Sequence, residues 1–92
     1  MSDKLNQLRV QIDAINDELL TILNKRAEIV IEIGKAKQEI GMQVFDPERE
    51  ELILRSLCSR NNGLLTDGMI RTIFQQIFDE YSNLQRELIS KG

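Results

Sequence analysis

Arg26 and Lys37 fall in the middle of an apolar helical stripe, and that placement is the first sign of chemistry in this sequence. On a wheel turning about 100° per residue, Arg26 points in the direction of Leu8 and Lys37 in that of Leu19. Ile15, Val30 and Ile33 lie close on either side. A charge left alone among such residues is strongly penalised, so each cation needs a carboxylate, a path to water or a charged ligand. Snorkelling at the end of a bundle accounts for either one by itself. Both on one line, with attachment points about 16 Å apart, can clasp a single small anion between their heads.

The pattern recurs further along. Asp46 and Glu50 share a helical face with Ile53 and Leu57, and Arg49 sits at its margin. Asp46 has a purely structural alternative as a helix N-cap, and Glu50 has one as a first-turn carboxylate favoured by the helix dipole. Gln85 lies between Phe74 and Phe78 on the wheel, a neutral hydrogen-bonding group on an oily face. A satisfied structural glutamine is its simplest reading. Arg9 flanks the first stripe about 25 Å before Arg26, so it joins the same pocket only from the antiparallel helix of a second subunit.

The chemistry available is restricted. There is no histidine, which removes the usual proton carrier near neutral pH and every Ser-His or Cys-His nucleophile. The lone Cys58 excludes an internal disulfide and reads as a small buried hydrophobe on a helix; no zinc-ligand spacing exists, so neither metal nor cofactor is expected. With 12 basic and 15 acidic residues the net charge is −3, and nucleic-acid binding lacks its positive field. No apolar run approaches 18 residues and no signal-peptide core is present, which points to a soluble cytoplasmic protein with no membrane partner.

The elements that must carry these residues are three helices within one domain, residues 1–92. Pro47 and the glycines at 34, 41, 63, 68 and 92 punctuate the chain. After the capping candidates Ser2 and Asp3, apolar residues recur every three or four positions from Leu5 to Ile40. One helix from about residue 4 to residue 40 is roughly 55 Å long, against a radius of gyration of about 12 Å for a compact domain of this size. A single globule cannot cover such a stripe, which predicts a second chain. A bend at Gly34 is the one way to shorten it. Asp46-Pro47 signals a second helix running to about Ser59, and a third begins near Thr66 or Asp67 with Ile70, Ile73, Phe74, Ile77, Phe78, Tyr81, Leu84 and Leu88 on a broad face. The residues alone thus predict an all-α dimer with cationic pockets for a small anion.

These residues also carry a resemblance. Leu8-Arg9, Ile12-Asp13, Leu19-Leu20, Lys25-Arg26, Ile33-Gly34-Lys35-Ala36-Lys37, Asp46-Pro47-Glu48-Arg49-Glu50 and Leu84-Gln85 together resemble the all-helical chorismate mutases over nearly the whole chain. The two longer stretches at their mutual distance are the most specific part. The resemblance implies an intertwined homodimer of three-helix chains, with two active sites shared between subunits, that converts chorismate to prephenate by an intramolecular Claisen rearrangement. Such a reaction needs no acid, base, nucleophile or metal.

Carried over by position, the resemblance implies that Arg26 and the other subunit's Arg9 grip the two substrate carboxylates. Lys37 meets a carboxylate and the ether oxygen, and Gln85 donates to that oxygen from the other side. Arg49 supports the carboxylate and Lys37, while Asp46 and Glu50 orient the ring hydroxyl and neighbouring donors. In one departure, Tyr81 stands where many members have a small residue, narrowing the pocket or adding a hydroxyl; Ser82 beside it faces elsewhere on the wheel.

Three rivals remain at this level. Similar domains are fused to or partnered with heptulosonate-phosphate synthases and serve as regulatory modules, although a chain stopping at Gly92 favours a free enzyme or an excised piece. Isochorismate pyruvate lyases share the fold and the cationic grip but generally lack the acid matching Glu50. A plain helical scaffold leaves Arg26, Lys37 and Gln85 without a reason.

Overall fold

The computed structural model describes residues 2–89, so Gly92 lies outside the described residues. Its elements are α1 (Asp3–Glu39), α2 (Pro47–Arg60) and α3 (Asp67–Ile89), with no strand among the described residues. Each start is made by a side chain. Ser2 Oγ accepts the Leu5 N–H at 3.1 Å, Asp46 Oδ1 accepts the Arg49 N–H at 3.1 Å, and Thr66 Oγ1 accepts the Met69 N–H at 3.1 Å.

The end of α1 is equally specific. Gly41 adopts φ 73°, a left-handed conformation in which a side chain is strained, and its N–H donates to the Gln38 carbonyl. The next N–H, of Met42, reaches the Lys37 carbonyl at 2.8 Å. This pair of bonds is a Schellman closure. It turns residues 42–46 back over the last turns of α1, which is what places them beside Lys37.

Gly34 does not break α1, which runs unbroken through it, and it is the one fully buried residue of that helix. The molecule measures 58 × 29 × 15 Å with a radius of gyration of 16.9 Å, well above the roughly 12 Å of a compact domain of its length. The third helix packs on both others, while α1 and α2 do not pack on each other. Tyr81 and Gln85 of α3 meet Leu23 and Val30 of α1 in the same order, so those helices run parallel. The pairings Arg71–Glu51 and Gln75–Glu50 make α2 and α3 antiparallel.

The core formed within one chain is small: Leu54, Ile70 and Phe78 are its buried apolar side chains among the described residues. Residues 2–22 of α1 are all exposed, including Leu8, Ile12, Ile15 and Leu19, each about half uncovered. An apolar row of this length is far too extended to be an ordinary surface feature. Cys58 is half-buried rather than buried; it lies beside the turn that joins α2 to α3, with its Sγ 3.9 Å from the Asp67 carbonyl. No helix among the described residues is long and apolar enough to cross a membrane.

A clamp that the sequence reading missed ties α2 to α3. Arg71 donates to both Glu51 oxygens at 3.1 Å, and Arg55 adds a bond at 3.2 Å. The Arg71 hydrogen bond, and then its charge, hold the Glu51 carboxyl below its ordinary range despite some desolvation, and Glu51 in turn raises Arg71. A carboxyl whose folded value is depressed contributes stability above its unfolded value and loses that contribution as pH falls through the folded one. Arg71→Met is therefore expected to melt below the parent at pH 7, with the gap closing as the pH drops beneath the ordinary glutamate value of about 4.3. Melting curves across that range check it, and a pH-independent gap counts against the clamp.

Candidate active site

The cavity that gathers the predicted residues lies where the ends of α1 and α3 face the start of α2. Its volume is about 410 Å³, and Arg26, Lys37, Asp46, Arg49, Glu50, Tyr81 and Gln85 all line it. Arg9 does not. It stands exposed on α1, away from the cavity.

Arg26 is half-buried, with its guanidinium carbon 4.8 Å from the Tyr81 ring centre and 5.6 Å from that of Phe78. No carboxylate lies within ion-pair distance of it among the described residues. Aromatic faces thus hold the cation while its N–H donors remain open to an anion.

Lys37 is also half-buried, its side chain 19% exposed. Its Nζ donates to the Val44 carbonyl at 3.4 Å and approaches Asp46 Oδ2 at 3.8 Å. Of the two Asp46 oxygens, one caps α2 and the other faces Lys37. Glu50 Oε1 accepts from Gln75 Nε2 at 3.4 Å, and the same amide donates to Asp79 Oδ1 at 3.1 Å.

Gln85 donates from Nε2 to the Val30 carbonyl at 2.9 Å, which leaves a second N–H and the amide oxygen for a ligand. Arg49 is exposed at the rim, anchored through its backbone to the Asp46 cap. The Tyr81 hydroxyl is already spent on the Leu23 carbonyl, so of the two effects expected of this residue the ring remains available to the pocket and the hydroxyl does not.

The expectation for Ser82 is corrected: it is half-buried and lines the cavity. The pocket wraps around more of α3 than one wheel sector, so a residue turned about 100° from Tyr81 still reaches it. Val44 and Phe45 also line it from the loop after α1, and no periodic signal marked them. Ile53 and Phe78 complete oily walls that the helical spacing did mark, though as core.

Comparison with known proteins agrees with this geometry. The family model for chorismate mutase type II matches residues 8–86. The chorismate mutase of Methanocaldococcus jannaschii is 28% identical over 94 residues, spanning 99% of this chain and 93% of that protein. The T-protein of Enterobacter agglomerans is 43% identical over 81 residues, covering 87% of this chain but 22% of its own length. This chain also spans about a quarter of several bifunctional chorismate mutase/prephenate dehydratases. The crystal structure of chorismate mutase from Helicobacter pylori in complex with prephenate superposes with a TM-score of 0.92 at 30% identity over 99% of both chains. With a family match over most of its length, a near-complete superposition and a cavity assembled from the residues named above, the chain belongs to the chorismate mutase type II family.

Proposed function

We propose that this protein catalyses the rearrangement of chorismate to prephenate, as a homodimer whose two cavities are each completed by the partner's α1. The carrying observation is that Arg26, Lys37 and Gln85, from two helices, converge on one cavity while the Arg26 guanidinium has no carboxylate partner among the described residues.

The charges support a dianionic guest. Arg26, Lys37 and Arg49 stand against Asp46 and Glu50, leaving one positive charge in the cavity (three minus two). The partner subunit's Arg9 makes it two. Arg26 and that Arg9 take the two carboxylates, each through a planar fork of donors. In the rearrangement the ether carbon–oxygen bond breaks as a carbon–carbon bond forms, within one molecule and with no proton transferred. Negative charge grows on the ether oxygen, and Lys37 and the free Gln85 N–H are the donors that meet it. Such aimed donors contribute more to the transition state than to the ground state. Holding the substrate in its compact reactive shape supplies the remainder. Glu50 and Asp46 orient the ring hydroxyl and the Lys37 ammonium, with Arg49 supporting the carboxylate end.

The dimer is supported by the face of residues 2–22, which no other described residue covers. Burying Leu8, Ile12, Ile15 and Leu19 against a second copy contributes about half of the roughly 1.5–3 kcal/mol that complete burial gives per side chain, because each is already about half covered. We take the chain as one domain acting in the cytoplasm, where the thiol of Cys58 stays reduced.

Loss of chorismate absorbance with purified protein, and product identification by chromatography, test the reading. Prephenate is the expected product. Faster release of pyruvate from isochorismate would make the protein a lyase, and saturable chorismate binding without turnover would make it a sensing module.

A further inference from the structure

We propose that Tyr81 is a positioning residue for Arg26, its ring holding the guanidinium over the cavity and so setting how tightly a dianionic substrate is gripped. This rests on the function proposed above. The ring lies closer to the Arg26 guanidinium than Phe78 does, 4.8 Å against 5.6 Å. Its hydroxyl donates to the carbonyl of Leu23, three residues before Arg26 on the same turn of α1. Ring, hydroxyl, Leu23 and Arg26 thus form a closed circuit that crosses from α3 to α1 and back.

Within a helix the Leu23 carbonyl already accepts the N–H of Ala27, so the tyrosine bond is not needed to satisfy α1. What it does is fix the ring edge, and with it the face on which the cation rests. Arg26 has no ion pair among the described residues to fix it otherwise. A long side chain that must be ordered on binding weakens the complex, and a pre-placed one does not. The carboxylate is gripped before and during the reaction alike, so the effect belongs in KM more than in kcat.

Two measurements test this. In the free protein, NMR resonances of the Arg26 δ-methylene and Nε–H should be displaced upfield by the ring beneath them. Tyr81→Leu should abolish most of that displacement, and Tyr81→Phe, which keeps the ring, should retain much of it. For chorismate turnover, Tyr81→Leu should raise KM on the order of tenfold, the scale of a partly desolvated cation–ring contact, with a much smaller change in kcat. Tyr81→Phe should fall between. Combined with Arg26→Gln, Tyr81→Leu should cost little further in kcat/KM, because the group it positions is gone. Additive losses in that double variant, or Arg26 resonances indifferent to Tyr81→Leu, overturn the proposal. An inactive parent would instead sink the assigned reaction, while the resonances still decide the contact.

Discussion

Replacing Lys37 with alanine is expected to lower kcat for prephenate formation by a factor on the order of 10²–10³, the usual loss when one donor aimed at a developing oxyanion is removed. The reason is geometric. The Lys37 side chain is only 19% exposed, and its ammonium is held by the Val44 carbonyl and the Asp46 carboxylate. A charge so placed costs no reorganisation when the ether oxygen becomes negative. The substitution should leave the helices intact, because Asp46 caps α2 through its other oxygen, on the Arg49 N–H, independently of Lys37. Far-ultraviolet dichroism and sedimentation should therefore match the parent. Turnover near the parental rate in such a well-folded variant would remove Lys37 from the reacting bond and with it most of the proposed electrostatic mechanism.

The second large effect is a recovery. Arg9→Ala and Arg26→Ala are each expected to be nearly inactive, since each deprives every cavity of one carboxylate ligand. Mixed, dissociated and re-dimerised in equal amounts, they should regain about a quarter of parental activity. Half of the dimers then contain one subunit of each kind. In such a dimer one cavity pairs intact Arg26 with intact Arg9, and the other lacks both. The figure follows only if Arg9 serves the opposite subunit's cavity, which is where its exposed position on the free stretch of α1 points. Demonstrated subunit exchange with no return of activity would show that Arg9 acts elsewhere.

Particular residues show how far the linear pattern reaches. Ser2, Asp46, Pro47 and Gly41 act within four or five positions of themselves, and they mark the helix ends correctly to within a residue or so. Arg26, Lys37 and Gln85 were visible because a charge or amide on an oily face violates the local period, and that violation is itself a local fact. Ser82 was misjudged because an ideal wheel assigns each side chain to one direction, whereas the cavity spans more than one sector of α3. Val44 and Phe45 carried no signal, since a loop's path depends on what it folds onto. Glu51 and Arg71 carried no signal either, since only the antiparallel placement of α2 and α3 makes a fork of them.

The sequence by itself determined three helices, the excessive length of the first, and the cations in its stripe, because helix formation and amphipathic spacing are set by neighbours along the chain. Only the tertiary structure decided that α1 and α3 run parallel, that the Arg26 cation rests on Tyr81, and that Lys37 faces the turn leading into α2. Those facts depend on residues up to 58 positions apart, as Tyr81 is from Leu23, and contacts between distant parts of a chain leave no period in it.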